Sequence, residues 1–72
     1  MTSTKLDAAV IGQKLRILRG DRLQQEVADA VGVSKMAISS YENGDRVPRD
    51  EIKVKLVQYF DDTVENIFFT EM

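Results

Sequence analysis

Asp61, Asp62 and Glu65 bring three carboxylates close together in the chain, and carboxylates are the raw material of cation binding and of general acid–base work. A calcium-type site needs roughly six to eight converging oxygens, and an acid–base pair needs a cleft to act in. Three carboxylates alone meet neither demand. The chain has no histidine and no cysteine, so the commonest bases, thiol nucleophiles and zinc ligands are missing. It has no glycine-rich phosphate loop either. The three acids therefore read as helix caps and solubilising charge. No metal, no other cofactor and no enzymatic activity are expected.

The denser signal runs from Gln24 to Gly44. Val27, Val31, Val33, Ile38 and Tyr41 can close one small core if Ala28 lets two helices approach and Gly32 turns the chain at positive φ. Two short amphipathic helices around one turn glycine make a helix-turn-helix. That motif directs attention to duplex DNA.

Other elements must hold the pair in place. Ala8, Ile11, Leu15 and Leu18 recur at helical spacing and predict a first amphipathic helix, with Thr4 as its cap and Asp7 three residues on. Gly12 costs about 1 kcal/mol against alanine inside a helix, so a start near Ile11 is expected. Arg19-Gly20-Asp21-Arg22 breaks that pattern. The second helix spans Gln24 to Val31, Gly32-Val33 is the turn, and Ser34 is the expected N-cap of a third helix reaching about Asn43. Asn43-Gly44 reads as a helix end, and Pro48 suits the loop that follows. Ile52, Leu56 and Phe60, with Val57 beside them, predict a fourth helix. Val64, Ile67 and Phe68 predict a short fifth, capped by Asp62 or Thr63. Nothing reads as a strand.

Seventy-two residues with 43% apolar content make one domain over residues 1–72. Residues 1–5 are expected to form a flexible N-terminal arm, 24–44 the helix-turn-helix, and 61–72 a short C-terminal helix and tail. A core of this size is worth only a few kcal/mol net. No disulfide or zinc reinforces it, so a homodimer is physically attractive. No signal-peptide run and no stretch of about 18 apolar residues occurs, so a soluble, cytoplasmic chain without a membrane partner is expected. The net charge is −2, and it hides an asymmetry. Residues 1–49 carry eight basic and six acidic groups, whereas residues 50–72 carry two and six. An acidic C-terminal part weakens non-specific phosphate binding and leaves more of the affinity to fit at one site.

Counted from Gln24, seven positions agree at once, and the pattern Q-x-x-V-A-x-x-V-G-V-S-x-x-x-I-S-x-Y-E-N-G resembles the Cro and phage-repressor, or xenobiotic-response-element, helix-turn-helix family. The likeness extends over about residues 11–69 through Leu18 to Asp21, Arg46 to Ile52 and Thr63 to Phe69. It implies an all-α, five-helix, lambda-repressor-like DNA-binding domain. By the same resemblance the third helix enters the major groove, with Lys35, Met36, Ser39 and Ser40 as base readers. Lysine donates to guanine, serine pairs with several bases, and methionine offers an apolar contact to a thymine methyl. This is a poor code, so shape and deformability of the site share the discrimination. Gln24, Ser34, Asn43 and Arg46 are the implied phosphate contacts. Arg19 and Glu42 are the implied structural ion pair between the first and third helices.

One departure matters. Relatives usually carry serine or threonine just before the glutamine that opens the second helix, and this chain has Leu23. Phe69 and Met72 leave apolar mass at the chain end and are the expected dimer contact. The functional expectation is a double-stranded DNA operator bound by a homodimeric repressor of a prophage or mobile-element promoter, relieved by an antirepressor or a protease. An antitoxin-like regulator of a two-gene module, or a helical protein-interaction module without DNA contact, are the alternatives.

Overall fold

A computed structural model describes residues 7–69. These form five helices and, among the described residues, no strand: α1 (Ala8–Arg19), α2 (Gln24–Val31), α3 (Lys35–Glu42), α4 (Asp50–Phe60) and α5 (Val64–Phe68). The five-helix, all-α expectation holds. Residues 1–5, Thr4 and Met72 lie outside the described residues.

Each helix begins where a side chain or a dihedral allows it. Asp7 caps α1, its carboxylate accepting from the Ala9 and Val10 N–H groups. Asp7 is therefore itself the N-cap, not the third residue of a capping box. Ser34 Oγ accepts from Ala37 N at 3.1 Å to open α3. Thr63 Oγ1 accepts from Asn66 N at 3.1 Å to open α5. Gly32 ends α2 at φ 79°, so the Gly32 and Val33 N–H groups both donate to the Ala28 carbonyl, at 2.8 and 3.0 Å. A residue with a Cβ reaches that dihedral only under strain.

The expected start of α1 near Ile11 is corrected: the helix begins at Ala8 and runs through Gly12. The reason is tertiary. A Cβ on Gly12 would stand 2.6 Å from the Tyr41 carbonyl oxygen, so the glycine is what lets α1 press its side against the end of α3. Close approach outweighs the local helix penalty of about 1 kcal/mol.

Helix α3 packs against both α1 and α2, while α4 and α5 close the far side, α4 against α2 and α5 against α1 and α4. Phe68, Ile11, Leu56, Ile67, Val27 and Val31 are fully buried where these elements meet. Val33, expected in this core, packs at its edge and is half-buried. The result is a scaffold that grips α3 along one side and leaves the other side open.

Candidate nucleic-acid interface

The first turn of α3 faces solvent. Lys35 is exposed, and no carboxylate pairs with it among the described residues. Met36 is 79% exposed, so it is no filler of a core gap. Ser39 and Ser40 lie half-buried one turn further on. Ser39 Oγ faces Asn43 Nδ2 at 3.4 Å. The four expected base readers thus occupy one short helix whose apolar side, Ile38 and Tyr41, is buried.

The last turn of α3 carries the opposite environment. Glu42 has a side chain only 2% exposed, and every neighbour that reaches it is a donor. Arg19 donates twice, Nε to Oε2 at 2.6 Å and Nη2 to Oε1 at 3.0 Å. Gln24 Nε2 donates to Oε1 at 3.0 Å, and Arg16 Nε lies 3.8 Å away. Burial pushes the Glu42 carboxyl up, but the bonds from Arg19 and Gln24 and the charges of Arg19 and Arg16 outweigh it. The net effect holds the group below its ordinary value. The bond to Glu42 raises the Arg19 guanidinium in turn. Both ends of the pair stay charged at neutral pH, and the implied ion pair between α1 and α3 is formed.

The four implied phosphate contacts are distributed around this cluster. Ser34 is exposed at the N-terminus of α3. Gln24, at the N-terminus of α2, gives one amide proton to Glu42 and keeps the other. Asn43 is the C-cap of α3, its Oδ1 accepting from Arg16 Nη2 at 3.2 Å. Arg46 is exposed with its guanidinium 5.9 Å from the centre of the Tyr41 ring, a cation–π arrangement that steadies it beside the end of α3. Lys35 and Gln24 share one shallow cleft with Arg19, Leu23 and Gln25. Phe69, 44% exposed, sits elsewhere, at the C-cap of α5.

Arg16, one of the polar residues interleaved on the first helix, carries no site role on the sequence reading. It follows Gly12 by four residues and precedes Arg19 by three, so the three share one face of α1, the face turned to α3. That spacing could have found it. Asp62, in the carboxylate group near the C-terminus, accepts from Thr63 N at 2.7 Å and Asn66 Nδ2 at 2.9 Å. The bond from Asn66 first, then that from Thr63, holds its carboxyl below the ordinary value.

Two helices joined at a left-handed glycine, the second gripped from behind and open in front, define a DNA-binding domain of the lambda-repressor-like class. The chain belongs to the helix-turn-helix family, whose model matches residues 13–63. It is also similar to the P22 c2 repressor protein, solved in complex with synthetic operator 9T in the presence of Tl+. The TM-score is 0.78 and the identity 25%, over 81% of this chain and 91% of that one. No curated protein matches the chain. Among the described residues no helix is long and apolar enough to cross a membrane.

Proposed function

We propose that the domain is a transcription regulator that binds a specific double-stranded DNA operator as a homodimer and represses the promoter it covers, in a prophage or mobile-element setting. The observation that carries this reading is the exposed first turn of α3, with Lys35 unpaired and Met36 in water on a helix whose other side is clamped. Similarity to a repressor solved on an operator supports the same reading.

Lys35, Met36, Ser39 and Ser40 read base edges, and Gln24, Ser34, Asn43 and Arg46 hold phosphates. Phe69 supports the dimer, because a two-fold protein must set its recognition helices about 34 Å apart. In this reading release comes from an antirepressor, a protease or a fall in the protein's own concentration. The test is selection of duplexes from a random pool, followed by titration of the best duplex at several salt concentrations. A repressor enriches one two-fold-symmetric sequence, and its affinity falls steeply with salt. Absence of any enriched sequence would falsify the reading.

A further inference from the structure

Leu23 occupies the N-cap position of α2 with the backbone of a capping residue, φ −75° and ψ 148°, yet no side chain caps that helix. Its own side chain is 70% exposed. A leucine here neither satisfies the helix nor joins the core.

Its surroundings say what would cover it. Leu23 lines an open cleft of about 350 Å³ with Arg19, Gln24, Gln25 and Lys35. Most of the polar groups in that cleft are already engaged. Arg19 is held by Glu42 and by the Arg22 carbonyl. Gln24 donates to Glu42 and Gln25 to Asp29. What remains beside the base-reading ammonium of Lys35 is the spare amide protons of Gln24 and Gln25 and one apolar wall, Leu23. A nucleotide of a DNA backbone has this two-part chemistry, an anionic phosphate beside the C–H face of a sugar. A small anion would leave the leucine in water. A base edge lies inside the groove, whereas the first helix of a helix-turn-helix crosses the backbone.

We propose that Leu23 is a specificity-determining residue that packs on a 2′-deoxyribose of the operator backbone, so that the α2–α3 cleft accepts a deoxynucleotide and rejects a ribonucleotide. The deoxy sugar offers only hydrogens at C2′. A ribose would press its 2′-hydroxyl, the group by which proteins tell RNA from DNA, against a leucine that cannot pair with it. The inference rests on the DNA-binding reading above.

The experiment replaces single deoxynucleotides of the selected duplex by ribonucleotides, one position at a time along each strand, and measures the affinity of the native protein and of Leu23→Ser. A 2′-fluoro nucleotide at each sensitive position controls for sugar pucker, since it imposes the ribose-like ring without an O–H group. At one backbone position per half-site the native protein should lose about fivefold with ribose and much less with 2′-fluoro, the lower end of the penalty for burying an unpaired hydroxyl. Leu23→Ser, whose own hydroxyl can pair with the 2′-OH, should lose that sensitivity. Identical ribose profiles for the two proteins would overturn the proposal, as would equal losses with ribose and 2′-fluoro. A Leu23-dependent loss on replacing thymine by deoxyuridine would reassign the leucine to a base methyl and also end it. If the native protein selects no duplex at all, the DNA-binding reading itself has failed.

Discussion

At its first turn α3 puts Lys35 and Met36 in water, whereas at its last turn Tyr41 and Glu42 are 4% and 6% exposed and covered by α1. One eight-residue helix therefore holds both environments. The buried end uses its polar groups on one another: a carboxylate, two guanidinium donors from Arg19 and an amide from Gln24. The open end keeps an amine and a thioether unengaged. Substitutions at the two ends should thus separate into those that change whether the chain folds and those that change what the folded chain recognises.

The sharpest way to break that division is Glu42→Gln. It keeps the shape and removes the charge, leaving Arg19, with a side chain only 19% exposed, without its counter-ion. Removing one partner of a buried pair costs about 3–5 kcal/mol, and a domain of this length holds on the order of 5 kcal/mol in total. Urea unfolding should show most of the stability gone. The pH dependence follows from the direction of the Glu42 shift. Its carboxyl sits below the ordinary value in the fold, so its contribution is fully present above that ordinary value. The contribution is lost as pH falls through the folded value. The gap between native protein and Glu42→Gln should be constant near neutrality and close in acid. A variant that unfolds at the native urea midpoint would show that the cluster is not what holds α1 to α3.

At the open end the expected effects are on binding, not on folding. Lys35→Ala should shift which sequences are preferred, by about 1–3 kcal/mol at the position it reads. Arg46→Ala should weaken all duplexes alike and lower the salt slope by about one. Both side chains are exposed, so the unfolding free energy of each variant should stay within about 0.5 kcal/mol of native. The measurement is titration of each variant against the selected duplex and a scrambled one. Uniform weakening by Lys35→Ala would move lysine from the bases to the backbone.

How far each end was legible beforehand differs for a physical reason. The local signals were sufficient for α2, α3, α4 and α5, because Ser34 and Thr63 are caps, Gly32 must turn left-handed, and the apolar spacing is helical. They failed at Gly12, where a helix-disfavouring residue is kept because a neighbour's carbonyl comes within 2.6 Å of where a Cβ would be. Only tertiary packing shows that. They could not settle whether Met36 packs or faces water, since a methionine beside an apolar stripe fits either. The pairing of Arg19 with Glu42 came from family likeness. The third member, Gln24, did not, because its bond to Glu42 spans eighteen residues and no helical period marks it.

Leu23 lies between the two environments, and it supports the finest test of the contrast. Its backbone already has cap geometry, and Glu26 stands three residues on, exposed in the first turn of α2. Leu23→Ser would therefore complete a reciprocal capping box, the serine oxygen accepting from the Glu26 N–H and the Glu26 carboxylate accepting from the N–H of residue 23. Since the leucine is 70% exposed, little packing is lost. Stability should rise by about 0.5–2 kcal/mol, typically near 1, read as a higher urea midpoint. Adding Glu26→Ala should remove part of that gain and leave the serine cap in place. A side chain selected for the fold alone would be the serine. If Leu23→Ser instead lowers the midpoint, the leucine is part of the scaffold, and the line between the clamped and open ends of the motif has to be redrawn to include it.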